Sequence, residues 1–221
     1  MSFNVAIDGP AGAGKSTIAK RVAKDLGFIY VDTGAMYRAM ALYLLKNNVD
    51  KNDQEAIGSQ CRDADISIRY ENGDQIVLLN GENVNGYIRT EEVGNMASVS
   101  SANPKLREKL VELQKKLAAE TDVIMDGRDI GTCVLPKADV KIYLTASSAV
   151  RAQRRFKELV AKGQQCDLKQ IEADIIERDH RDMTREHSPL KQAEDAILVD
   201  SSDMTIDEVV EKICALTREK M

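Results

Sequence analysis

Gly9-Pro10-Ala11-Gly12-Ala13-Gly14-Lys15-Ser16 completes the pattern G-x-x-x-x-G-K-[ST], and Thr17 follows it. These residue types at this spacing suit the cradling of a polyphosphate. The glycines let the backbone curl so that successive N–H groups point inward at phosphate oxygens. A helix opening at Lys15 would add the positive end of its dipole. Lys15 would reach the β- and γ-phosphates, and the Ser16 hydroxyl would ligate Mg²⁺. Chance alone produces such a run in on the order of one chain in a hundred. Here it follows an apolar strand pattern and opens a helical one, the context the chemistry requires.

A second concentration of charge lies far along the chain. Arg151, Arg154 and Arg155 are spaced i, i+3, i+4 and share a helix face. Arg178, Asp182 and Arg185 do the same at i, i+4, i+7 if the helix persists, with Arg181 beside them. Residues 147–191 hold 10 Lys/Arg and 8 Asp/Glu, so the segment is net +2, while the rest of a chain of net −5 carries −7. Cations around a moving phosphoryl group are what its transfer needs. An ordinary solvated helix laced with i,i+4 pairs is the competing reading, and the sequence leaves both open.

Two loops complete the set. Asp32-Thr33-Gly34-Ala35-Met36-Tyr37-Arg38 follows the second strand pattern, and Asp126-Gly127-Arg128-Asp129 follows a later one. Ligands of open α/β sheets sit beyond the carboxyl ends of the strands, so both loops are expected to face the phosphate crevice.

The elements that must carry these residues alternate. Phe3–Asp8 reads as a buried strand, Lys15–Leu26 as a helix closed by Gly27, Phe28–Val31 as a strand and Ala35–Leu45 as a helix. That order argues for an α/β fold with a parallel sheet. Asn72-Gly73 and Asn80-Gly81 interrupt apolar runs over residues 64–86 and predict a small antiparallel meander. Asn103-Pro104 starts a further helix with Leu106, Leu110, Leu113 and Leu117 on one stripe. Asp122–Asp126, Ala138–Leu144 and Ala196–Val199 read as three more strands, five in the sheet altogether. Helices are expected over 147–162 and 167–181, Asp167 and Gln170 suggesting a capping box, and a last one capped by Thr205 and Glu208.

Composition narrows the class. The chain has 221 residues, net charge −5, 4% aromatic residues and no Trp, so its core must be aliphatic. An acidic protein suits neither nucleic acid nor an anionic membrane surface. No apolar run approaches the roughly 18 residues of a membrane span. The first residues, from Met1 on, lack the pattern of a secretory leader. Cys61, Cys133, Cys166 and Cys214 are far apart and form no C-x-x-C, so reduced thiols in the cytoplasm are expected. No Asn-Lys-x-Asp base-reading motif occurs, against a GTPase. His180 and His187 read as surface residues and Cys133 as packing.

At these residues the chain resembles the bacterial cytidylate kinases, a branch of the nucleoside monophosphate kinases. The phosphate loop, Asp32–Arg38, Ile88-Arg89-Thr90-Glu91-Glu92-Val93, Asp126-Gly127-Arg128-Asp129-Ile130-Gly131-Thr132 and Glu177-Arg178-Asp179-His180-Arg181-Asp182 look like that family, in its order and spacing. The resemblance implies one P-loop kinase domain over 1–221. Its core would be 1–35, 120–147 and 190–221, its nucleoside-monophosphate region with the β insert 36–119, and its helical lid 151–166. It implies ATP as donor, CMP or dCMP as acceptor and Mg²⁺ as cofactor. A monomer is expected because nothing in the sequence marks an oligomer contact, and the charge balance leads to no nucleic-acid or membrane partner being expected. Residues Gly9 to Thr17 would bind ATP. Thr33 would contact the cytosine near Tyr37, itself expected to bind CMP, and Ser98, Arg107 and Asp129 would read the base. Arg38, Arg128 and Arg178 would gather the acceptor phosphate, and Asp182 and Arg185 would hold the ribose. Lys15, Arg128, Arg154, Arg155 and Arg178 would serve catalysis, Arg154 and Arg155 from the lid. Another small-molecule P-loop kinase is the nearest alternative. A P-loop switch module without an acceptor is the more distant one.

Overall fold

The computed structural model describes residues 2–221. The chain runs β1 (Asn4–Asp8), α1 (Lys15–Leu26), β2 (Ile29–Asp32), α2 (Thr33–Lys46) and α3 (Gln54–Gln60). Then come β3 (Ile66–Glu71), β4 (Asp74–Leu79), β5 (Glu82–Asn83), α4 (Glu91–Ser100) and α5 (Pro104–Glu120). It closes with β6 (Val123–Gly127), a π-helical turn (Ile130–Val134), β7 (Val140–Thr145), α6 (Ser148–Ala161), α7 (Leu168–Thr184), β8 (Ile197–Asp200) and α8 (Ile206–Arg218). These divide into two units. One holds residues 3–30 and 122–221, the other residues 31–121.

The first unit is the α/β body. Its five-stranded parallel sheet has the order β2-β6-β1-β7-β8. β1 lies at the centre, and its Val5, Ala6 and Ile7 are fully buried. A strand covered on both faces has to be apolar at consecutive positions, as this one is. α1 turns Ile18, Ala19, Val22 and Ala23 inward, against Ile124, Val140, Ile142 and Val199 of the sheet and Val209, Val210 and Ile213 of α8. Each of the Ile and Val side chains contributes about 1.5–3 kcal/mol of burial. The N-cap of α1 is Gly14 in the left-handed region, φ 86°, with no side-chain cap. Gly27, φ 74°, ends the helix by donating its N–H to Ala23. The five strands thus stand as expected, each within two residues of its bounds.

In the second unit Asp32 caps α2 by accepting from the N–H of Ala35 at 2.9 Å, which starts the helix two residues before the expected Ala35. The meander forms as the Asn-Gly pairs predict. Asn72 and Gly73, then Asn80 and Gly81, all have positive φ, and the register closes two-residue turns at Glu71–Asp74 and Leu79–Glu82. Asn103 accepts from the N–H groups of Lys105 and Leu106 to start α5. Two helices have no counterpart in the sequence reading. α3 is 7 residues long, and α4 is capped by the Thr90 hydroxyl on Val93 and buries Val93, Met96, Ala97 and Ser100.

Two local details differ from expectation. Asp167 caps α7 alone, because the Gln170 amide donates forward to Asp174 at 2.8 Å instead of folding back. α7 also runs past Arg181 to Thr184. By contrast, Thr205 and Glu208 complete their capping box. His180 and His187 are exposed.

Candidate active site

In the first unit β1 ends in Asp8 and passes directly into the phosphate loop. Gly9 has φ 151°, and a Cβ there would collide with the carbonyl oxygen of Leu144 on β7, so only glycine lets the loop lie this close to the sheet. The first N–H groups of α1 have no side-chain cap and no acidic residue in the first turn. That combination leaves the helix start ready for an anion. Lys15 is buried, and its Nζ donates to the carbonyl of Pro10 at 2.8 Å. Burial, and next the guanidinium of Arg128, push its proton affinity down to about 7, with Arg178 adding to the repulsion and Asp126 and Asp8 opposing it.

Two strand-end carboxylates stand beside the loop. Asp126, at the end of β6, accepts from the Ser16 hydroxyl at 3.0 Å and from the Tyr30 hydroxyl at 2.8 Å. Asp8 accepts from the backbone N–H groups of Ile130 and Gly131 at 2.8 and 2.7 Å. Burial raises the Asp8 pKa to about 6 against those two bonds. Among the described residues no group of three or more His, Cys, Asp or Glu could enclose a metal ion. Ser16 and Asp126 instead offer an open pair of hard oxygens, which fits Mg²⁺, an ion that keeps waters and takes its remaining ligands from phosphate.

The arginines divide. Arg128 donates from Nε to Asp182 at 2.9 Å. Burial alone would raise Asp182, yet Arg128, Arg178 and Arg185 together hold it below the ordinary carboxylate range. Arg185 lies beyond the end of α7 in extended backbone rather than on its face, donates to Ser188 at 2.6 Å and places Nη2 3.8 Å from Asp129. Of the three arginines expected to share the face of α6, only Arg151 meets the phosphate loop. Arg154 donates to the carbonyl of Ser201 at 2.7 Å, and Arg155 pairs with Glu158 at 2.9 Å on the exposed side.

In the second unit Thr33 is buried at the start of α2, directly after Asp32, whose carboxylate also takes Arg89 at 2.6 Å. Gln75 of β4 bonds both the N–H and the carbonyl of Asp32, so the meander fixes the head of α2. The Arg107 guanidinium stands over the Tyr37 ring at 5.5 Å and donates to Ser101 at 3.2 Å. Arg38 donates to the carbonyl of Ile88 at 3.3 Å and packs against Gly94. Ser98 is half-buried on α4.

The contacts that Asp8, Tyr30 and Asp126 make beside the loop were not legible in the sequence. One signal was available: two apolar strands, Val5-Ala6-Ile7-Asp8 and Val123-Ile124-Met125-Asp126, each close on an aspartate.

A family model described as cytidylate kinase matches residues 5–219. A cytidylate kinase of Listeria innocua serovar 6a is 54% identical over 218 residues, covering 98% of this chain and 96% of the relative. One of Lactobacillus johnsonii is 54% identical over 218 residues, covering 99% and 95%. Among solved structures, a shikimate kinase from Bacteroides thetaiotaomicron superposes with TM-score 0.51 at 12% identity, over 98% of both chains, which shows a shared fold.

Proposed function

The chain belongs to the cytidylate kinase family, and from that footing we propose how its residues divide the work of moving the γ-phosphate of ATP to CMP or dCMP. It is a phosphotransferase whose acceptor is itself a phosphate group, and the products are CDP or dCDP and ADP. The observation that carries the assignment of the donor site is Lys15. It is a buried ammonium at the uncapped start of α1, its proton affinity lowered to about 7 by burial first and by Arg128 next, against Asp126 and Asp8. A triphosphate would supply negative charge there.

Residues 9–17 hold the ATP phosphates, with Lys15 leaving the Pro10 carbonyl for the β/γ-oxygens. Ser16 and Asp126 would hold Mg²⁺, which when bound neutralises charge on the phosphate oxygens. Arg38, Arg128 and Arg178 take the acceptor phosphate. Thr33, Tyr37, Ser98, Arg107 and Asp129 read cytosine, and Asp182 and Arg185 take the ribose. Arg154 and Arg155 belong to a lid over residues 151–166 that closes on the donor. Residues 36–119 serve the acceptor within one kinase domain, and the enzyme works as a cytoplasmic monomer.

The acceptor phosphate is already an anionic nucleophile near neutral pH, so no strong general base is required. Alignment and electrostatic stabilisation do the work, while exclusion of water suppresses ATP hydrolysis. An acceptor panel of CMP, dCMP, UMP and AMP in a coupled ADP-release assay tests the reading. Turnover with CMP or dCMP well above ATP alone is expected, and no acceleration by either would overturn it.

A further inference from the structure

Arg151 and Asp179 are buried charged residues with no part in the roles assigned above. Arg151 leaves the first turn of α6 and Asp179 the C-terminal half of α7, and their side chains are 7% and 11% exposed. Arg151 Nη1 lies 2.7 Å from Asp179 Oδ2 and donates to the carbonyl of Ala11 at 2.9 Å. Asp179 Oδ1 accepts from the N–H of Ala11 at 3.4 Å. One ion pair therefore takes both the donor and the acceptor of a single residue in the middle of the phosphate loop. Arg151 Nε donates to Ala146, just past β7, at 2.8 Å, which anchors the pair to the sheet.

A glycine-rich loop has no shape of its own, because Gly9, Gly12 and Gly14 all adopt positive φ and bring no side chain to pack. At Ala11 the loop is pinned from outside on both its N–H and its carbonyl. The pinning carboxylate would repel a polyphosphate if it stood alone, and the guanidinium cancels it. A planar fork reaches Ala11, Asp179 and Ala146 at once, which a lysine point charge does not. One turn along α7, Asp182 holds Arg128. The same helix thus ties down the donor loop and an arginine assigned to the acceptor phosphate.

We propose that Arg151 and Asp179 form a positioning pair that sets the phosphate loop through the Ala11 peptide, linking donor binding to the helices that frame residues 162–167. Neither residue touches the reacting atoms. The proposal rests on reading residues 9–17 as the ATP site.

The test uses Asp179→Asn and Arg151→Lys in the full chain, with a thermal melt to establish folding. One arm measures binding of a fluorescent ADP analogue, the other steady-state phosphorylation of CMP. Nucleotide binding should weaken and the KM for ATP should rise together by about tenfold, with the KM for CMP held within about twofold. A pair that merely packs would lower the folded fraction, hence apparent kcat, and leave both KM values alone. That result, or nucleotide affinity within about twofold of wild type in both variants, overturns the proposal. If Asp179→Asn does not fold, Arg151→Lys, which keeps the charge, decides it. A wild type that binds nucleotide without phosphorylating CMP would overturn the functional reading, while the binding arm still decides the pair.

Discussion

The Nζ of Lys15 donates to the carbonyl of Pro10, five residues back in its own loop, at 2.8 Å. It is a buried cation whose hydrogen bond goes to a neutral carbonyl, and burial and Arg128 outweigh the nearby Asp126 and Asp8 in lowering its proton affinity. Bound phosphate opposes that shift. Lys15→Met should lower kcat on the order of 10³-fold, measured in the coupled assay with CMP.

The same residue predicts a proton count. In the free protein Lys15 has its proton affinity lowered to about 7, and a polyanion favours the charged form. Nucleotide binding should therefore take up protons above neutrality and weaken as pH rises from about 7 to about 9. Calorimetric titration in buffers of different ionisation enthalpy measures the uptake. Lys15→Met should abolish it.

Asp126 touches both Ser16 and Tyr30, but only the Ser16 side leads to the phosphates. Asp126→Ala should raise the Mg²⁺ concentration for half-maximal activity by about tenfold or more. Tyr30→Phe should shift it far less. A magnesium titration at saturating ATP separates the two.

Asp8 predicts a stability slope of unusual sign. Its folded pKa is raised to about 6 from 3.8, so between these values the folded state holds the proton more tightly and stability falls as pH rises. Against Asp8→Asn, the wild type should lose relative stability over that window, by at most about 3 kcal/mol, and stay level above it. Paired melts at closely spaced pH values read the difference.

On the acceptor side, Arg107→Ala and Asp129→Ala should each raise the KM for CMP by about tenfold or more and leave the KM for ATP within about twofold. Equal losses on both substrates would remove these residues from base reading.

How much of this could be read in advance depended on whether the physics is local. The phosphate loop was legible because its chemistry needs contiguous residues. The Asn-Gly turns were legible because positive φ selects residue types. α4 was missed although Val93, Met96, Ala97 and Ser100 follow a helical period, since Gly94 and the serines dilute the apolar signal. Helical spacing put Arg151, Arg154 and Arg155 together. Which of them meets Ala11 is decided by α7 and by Ser201, both distant in sequence.

The place of β1 at the centre of its sheet has a consequence for synthesis on the ribosome. Its neighbours in the register are Val123–Gly127 and Val140–Tyr143. At about 5–20 residues per second, β1 waits roughly 6–24 s before the first of those partners is made. Over that interval an apolar strand with both edges open must be sheltered, by α1 or by a chaperone, while residues 31–121 have time to fold. The strand that seats the phosphate loop is thus made well before its partners and completed late, which leaves it open to mispairing in a slow-growing chain.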